Sequence, residues 1–199
     1  MSDLPILVCG LGRCGSSVTM QMLVLGGMRL TSGARWPFCE DQRTYSLPKE
    51  NEWLREVTPE QALKLLNPDN YRAPPWFKFD GIWLDRKRDE QVKSWYKYGM
   101  TSKKYKEKQE RMPEKELRFY LKQKTAKCRR IAAAMSRKFL RLDFEEIILD
   151  PYTVAVRINE AFDRHLDPVK MASAVAPRGP ECLDGFLENS NLIPGAVRV

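Results

Sequence analysis

Several things that catalytic and secreted proteins commonly carry are scarce in this chain. One histidine, His165, stands in 199 residues. The five cysteines, Cys9, Cys14, Cys39, Cys128 and Cys182, are odd in number and scattered, with no C-x-x-C pair and no Cys/His cluster. Neither a disulfide framework nor a zinc site follows from such spacing, and no metal site is expected. No apolar run approaches the length of a membrane span. The opening stretch MSDLPILVCG has an acidic residue and no basic n-region, so it does not read as a signal peptide. A reduced, cytoplasmic protein is the expectation. Internal repeats and a dividing linker are also missing, which leaves a single domain over residues 1–199.

Charge, by contrast, is plentiful and one-sided. Lys and Arg number 34 against 26 Asp and Glu, a net charge of +8. That balance favours anionic partners: nucleic acid, acidic lipid or a polyanionic small molecule. About twenty of the basic residues fall between positions 86 and 141, in a basic helical segment at about 86–138. Aromatics (Trp95, Tyr96, Tyr98, Tyr105, Phe119, Tyr120) are interleaved with them. The segment reads as a surface for an acidic acceptor such as an anionic glycan, as a nucleic-acid-binding face, or as a solvated helical face with its aromatics in the core. No known nucleic-acid motif occurs in it, so nucleic acid is not the favoured partner.

The hydrophobic pattern predicts an α/β fold. Residues 4–9 form a short apolar run, as a strand buried on both faces does. Residues 16–25 are apolar nearly all round, which predicts a buried helix, and Gly26-Gly27 ends it. A second strand is expected near 28–30. TPEQALKLL, from Thr58, carries a capping-box pair, Thr58 with Gln61, and reads as a short helix. FDGIWLD (79–85) reads as a strand and 89–98 as a helix. After a charged run at 103–110, a long helix starts with Pro113 at its first position. Leu117, Leu121, Cys128, Ile131 and Met135 recur along it at helical spacing. KFLRLDF (138–144) is another strand. Asp150-Pro151 opens a helix with Val154, Ile158, Ala161 and Phe162 on one side, and the tail after Pro168 reads as loop. The order implies a central parallel sheet covered by helices on both faces, a three-layer sandwich with a P-loop-like strand, loop and helix at its start.

That loop is GLGRCGSS, residues 10–17. It has the outer frame of a phosphate loop, but Ser16 stands where a nucleotide hydrolase has lysine, and Arg13 lies three residues earlier. Glycines let backbone N–H groups approach phosphate oxygens, and a helix N-terminus adds its positive end. The missing lysine argues against ATP or GTP hydrolysis. A phosphatase loop needs an arginine six positions after its cysteine. Six after Cys9 is Gly15 and six after Cys14 is Met20, so Cys14 reads as a small loop filler. Arg86, just past a strand, would sit at the sheet edge where α/β proteins bind ligands, with Ser94 on the next helix. Taken alone, these are a surface arginine and a mid-helix serine.

Taken together, the two pieces resemble the sulfotransferase family. Gly10-Leu11-Gly12-Arg13-Cys14-Gly15-Ser16-Ser17 resembles its 5'-phosphosulfate loop, G-x-x-R-S-G-T-T. Arg86 and Ser94 match the spacing of its 3'-phosphate motif. LRLDFEEIILDPYTVAVRINEAF is similar to the family's late strand, acidic-aromatic pair, Asp-Pro and helix. Cys14 replaces the usual serine, and Lys87-Arg88 replaces a familiar acidic or asparagine-proline pair. The resemblance implies 3'-phosphoadenosine 5'-phosphosulfate (PAPS) as donor and no metal. It implies that Gly12, Arg13, Cys14, Gly15, Ser16 and Ser17 bind the donor, with backbone groups of Gly15, Ser16 and Ser17 on the 5'-phosphate. Arg13 would stabilise the leaving group, and Arg86 and Ser94 would hold the 3'-phosphate. WPFCEDQRTY resembles a stretch of bacterial members in which a glutamate is the base, with Glu40 as the match, although Glu40 also reads as a surface acid beside Asp41. A carboxylate at that place would experience Arg13. Lys78 is a further candidate for contacting sulfuryl oxygens, Arg178 would close over the nucleotide, and His165 reads as a solvated or capping residue. Two other functions stay open: a P-loop kinase-like phosphotransferase, and a non-catalytic nucleotide- or nucleic-acid-binding protein.

Overall fold

A computed structural model describes residues 3–46, 52–71, 74–100, 112–183 and 191–194. The charged run at 103–110 lies outside the described residues. A five-stranded, all-parallel sheet has the order β2 (Arg29–Leu30), β5 (Gln61–Leu66), β1 (Ile6–Gly10), β6 (Phe79–Asp85), β7 (Ser136–Asp143). A separate two-stranded antiparallel ribbon joins β3 (Ala34–Arg35) to β4 (Glu40–Asp41). Every residue of β1 is buried, as its unbroken apolar run requires of a strand covered on both faces.

Side-chain alternation along the strands divides the core in two. On one face Ile6, Val8, Ile82, Leu84 and Leu142 pack with Met20 and Leu23 of α1 (Ser16–Leu25). Three later helices, α4 (Phe144–Leu149), α5 (Pro151–Phe162) and α6 (Pro168–Ser173), complete that layer through Ile147, Ile158, Phe162 and Met171. On the other face Leu7, Cys9, Leu63, Leu65, Phe79 and Trp83 pack with Val92 of α2 (Arg88–Met100). Leu117, Leu121, Cys128 and Ala132 of α3 (Glu114–Met135) join them. Helices therefore flank the sheet on both sides, as the sequence pattern predicts.

Three local expectations change. TPEQALKLL is not a helix. The Thr58 N–H does donate to the Gln61 side chain at 2.9 Å, and the Gln61 N–H to the Thr58 carbonyl at 3.0 Å, so the capping-type turn forms. The chain then extends, because Ala62, Leu63 and Leu65 are drawn into the sheet against β1, and tertiary pairing outweighs a local signal. Pro113 is the N-cap of α3 rather than its first residue. The tail after Pro168 begins with α6, whose N-cap Asp167 accepts hydrogen bonds from the Val169 and Lys170 N–H groups. The other expected elements stand close to their expected bounds. Asp150 caps α5 by accepting from the Thr153 N–H at 3.1 Å.

The packing ranks two substitutions in α5. Phe162 is fully buried at its C-terminal end. Phe162→Ala is expected to destabilise the fold by about 3–5 kcal/mol, through lost transfer energy and the cavity left behind. Loss of the Asp150 cap in Asp150→Ala should cost only about 1 kcal/mol. Urea denaturation of the two variants checks the order.

Candidate functional site

The C-terminal edge of the sheet opens into a cavity of about 430 Å³. At its floor the chain leaves β1 and turns through Leu11 to Gly15 into α1. Arg13 and Gly15 both have positive φ, 67° and 91°. Such turns direct successive N–H groups toward one side and build an anion cradle. Gly15 is dictated twice over: by its φ, and because a Cβ there would lie 2.5 Å from a ring carbon of Phe144. The first-turn N–H groups of α1, at Ser16, Ser17 and Val18, have no acceptor within the helix, which gives this end its positive character.

Helix α2 grips the loop from the side. The Gly12 carbonyl accepts from the Gln91 side-chain amide at 3.0 Å and from the Trp95 indole at 3.1 Å. Arg13 Nε donates to Ser94 Oγ at 2.9 Å, and the Arg13 guanidinium lies 5.0 Å from the centre of the Tyr98 ring. Ser94 is fully buried, so it is neither a surface nor a spare mid-helix serine. Arg86, directly after β6 and also buried, donates to the Arg13 carbonyl at 3.1 Å. Its guanidinium lies 4.2 Å from the centre of the Phe144 ring, and that of Arg178 lies 5.4 Å from the same ring. Phe144 thus bears on Gly15 while two arginines meet its π system, an arrangement that holds cations in place without neutralising them.

All the expected site residues except Cys14 and Lys78 line the cavity or, as Ser94 does, bond to a residue that lines it. Cys14 is fully buried beneath the loop, and burial pushes its thiol up to about 11 against the opposing pull of Lys64. It is a protonated filler. Lys78 is corrected: it precedes β6, at the N-terminal edge of the sheet, a whole seven-residue strand away from the cavity. His165 is exposed between α5 and α6 and does not line the cavity.

Glu40 reaches the cavity through the β3–β4 ribbon, and its carboxylate accepts from Lys64 Nζ at 3.0 Å. Lys64 is the functional-site residue that the sequence reading missed. It sits in β5 next to β1, 4 % exposed, and its three N–H groups are all used. Besides Glu40 they bond Ser17 Oγ at 2.9 Å and the Phe38 carbonyl at 2.8 Å. A cation is thereby present at the start of α1, supplied by the neighbouring strand. The signal for it was a lysine inside an apolar run, A-L-K-L-L, since lysine is seldom buried unless paired.

Five further hydrogen bonds hold the wall that carries Glu40. The fully buried Gln21 of α1 donates to the Pro37 carbonyl at 3.1 Å and accepts from the Ile193 N–H at 3.1 Å, while the Trp36 indole donates to the Ile193 carbonyl at 2.8 Å. Asp41, next to Glu40, accepts from the Thr31 hydroxyl at 2.6 Å and from Arg43 Nη2 at 2.8 Å. The geometry therefore gathers four cations, Arg13, Lys64, Arg86 and Arg178, and one carboxylate around a helix N-terminus, a donor set suited to a multiply charged phosphate compound. In comparisons with known proteins, no family model matches the chain and no curated protein matches it.

Asp41 gives the site a pH-dependent anchor. Burial opposes its ionisation, but hydrogen bonds from the Arg43 side chain, the Thr31 hydroxyl and the Arg43 N–H prevail and hold its carboxyl below the ordinary value. A pKa depressed on folding contributes stability that is complete above the unfolded value, about 3.9, and is lost as pH falls through the folded one. Urea midpoints followed from about pH 6 to about pH 2 should fall at the acid end, and Asp41→Asn should flatten that fall.

Proposed function

We propose that this cavity binds PAPS and that the protein transfers its sulfuryl group to an acceptor hydroxyl or amine. One observation carries the reading. Arg13, Arg86 and Ser94, two expected phosphate subsites more than seventy residues apart in sequence, interlock through the 2.9 Å and 3.1 Å hydrogen bonds beside the helix N-terminus. Loop curvature, the buried Arg86, the half-buried Arg13 and the first-turn N–H groups fit a donor with phosphates at two positions. On this reading Arg86 and Ser94 hold the 3'-phosphate, and the N–H groups of Gly15, Ser16 and Ser17 hold the 5'-phosphate. Arg178 closes the nucleotide side from the Phe144 ring.

The bound donor would supply a sulfuryl group activated by its anhydride link to the 5'-phosphate. Glu40 takes the proton from the acceptor hydroxyl as its oxygen bonds to sulfur. The sulfur–oxygen bond to the 5'-phosphate breaks, and the electron pair stays on that phosphate. Arg13 and the start of α1 meet the charge that grows there. Lys64 orients Glu40 and, through Ser17, ties that carboxylate to the same loop.

A phosphotransferase gains some support from Lys64, which restores a cation near the loop. Against it, Asp85 at the end of β6 is occupied by the Trp83 indole at 2.8 Å and by Arg141 at 2.8 Å, and it does not line the cavity. The acid that such an enzyme uses at a strand end next to its phosphate loop is turned elsewhere.

Two measurements test the proposal. In thermal-shift or calorimetric titration, 3',5'-diphosphoadenosine (PAP) should bind markedly more tightly than AMP, and at a hundred times its dissociation constant it should add about 2.7 kcal/mol of stability. Equal affinity for AMP would mean that the 3'-phosphate is not read, and the donor assignment would fail. Glu40→Gln should lower label transfer from sulfur-labelled PAPS by about 10²–10⁴ while PAP affinity is retained. Undiminished transfer in that variant would remove Glu40 from the chemistry.

A further inference from the structure

The cavity has a second end, and its chemistry differs from that of the phosphate end. Phe38, Asn67, Asn70 and Tyr71 line it beside Glu40 and Lys64. Phe38 is 43 % exposed, an aromatic ring left at the cavity surface rather than buried. Asn67 follows β5 in the left-handed region at φ 53°, its N–H donating to the Gly10 carbonyl at 3.0 Å. The amide side chains of Asn67 and Asn70 thus flank the exit of the strand that carries Lys64. Burial first, and the Glu40 charge second, push the Tyr71 phenol above its ordinary value, and both residues line the cavity.

Charge at this end is balanced. Glu40 and Lys64 form a 3.0 Å pair of zero net charge, and the other two donors of Lys64 go to Ser17 and the Phe38 carbonyl. Lys124 and Lys127, on the adjoining part of α3, both face Asp69, at 3.7 and 3.6 Å. Among the described residues, an anionic acceptor therefore finds its nearest cation already committed and meets the Glu40 carboxylate instead. A cationic one adds its charge to the four cations that line the cavity, Arg13, Lys64, Arg86 and Arg178. Aromatic faces with primary amides between them suit a ligand that has an apolar ring face and a hydroxylated rim.

From this lining we infer that the acceptor is an uncharged saccharide, with its ring against Phe38 and Tyr71, its hydroxyls on Asn67 and Asn70, and one hydroxyl presented to Glu40. The inference rests on the sulfuryl-transfer reading of the same cavity and names the acceptor for it. The transfer is balanced as before. The sugar oxygen bonds to sulfur, its proton goes to Glu40, and the 5'-phosphate leaves with the bonding electrons.

The test uses the intact protein with sulfur-labelled PAPS and five probes: methyl glucoside, maltose, methyl glucuronide, p-cresol and benzylamine. PAP binding is measured in parallel. Label should reach methyl glucoside or maltose at least about tenfold faster than the other three. Asn70→Ala should raise the saccharide KM by about tenfold, because it removes one amide–hydroxyl hydrogen bond, with PAP affinity unchanged. Equal or faster labelling of the glucuronide, the cresol or the amine would overturn the assignment, as would PAP binding without any labelled saccharide. An unchanged saccharide KM in Asn70→Ala would overturn it as well. Failure of PAP to bind would instead refute the donor reading, and the acceptor assignment would fall with it.

Discussion

A single buried ammonium ties the site together. Lys64 projects from β5 into a region where an unpaired charge would cost several kcal/mol, so its three N–H groups must all find acceptors. They find them on three different segments: Ser17 in the first turn of α1, Phe38 in the turn between β3 and β4, and Glu40 in β4 itself. The β3–β4 ribbon lies outside the main sheet, and this lysine fastens it to the start of α1. Gln21 and Trp36 repeat the fastening with neutral hydrogen bonds, adding residues 191–193 to the same wall. The position of Glu40 thus follows from the electrostatics of its neighbour more than from its own short strand.

Phe144 performs the complementary task at the glycine-rich loop. It is the first residue of α4, directly after β7, and it packs against the glycine whose positive φ shapes the loop. Arg86 and Arg178 meet its ring from segments 92 positions apart. An aromatic ring attracts guanidinium groups without cancelling their charge, so the cavity keeps its positive potential although the arginines are partly withdrawn from water. Gln91, Ser94 and Trp95, on consecutive turns of α2, fix the other side of the loop. The Gly10 to Ser17 loop is held by both helical layers, and its curvature is set by packing as much as by its glycines.

A good part of this was legible along the chain. The unbroken apolar run of β1, the all-round apolar α1, the Gly10 to Ser17 spacing and the position of Arg86 after a strand are local patterns. Local patterns survive folding when no partner contradicts them. TPEQALKLL was illegible for the opposite reason. Its capping-type hydrogen bonds are real, but its last five residues, Ala62 to Leu66, pair with β1, and a sheet partner 56 residues away leaves no mark on a nine-residue window.

Sequence alone determined the layer architecture, the glycine spacing of the Gly10 to Ser17 loop and the residue types gathered at the sheet edge, because alternation, helical period and glycine placement are short-range consequences of backbone geometry. Tertiary structure decided which side chains meet. The pairing of Lys64 with Glu40, the bond between Arg13 and Ser94, the two arginines on Phe144 and the exclusion of Lys78 all depend on strand order and direction. Order and direction are fixed by long-range burial: β5 inserts beside β1 so that Ala62, Leu63 and Leu65 lose contact with water, and Lys64 is carried into the site between them.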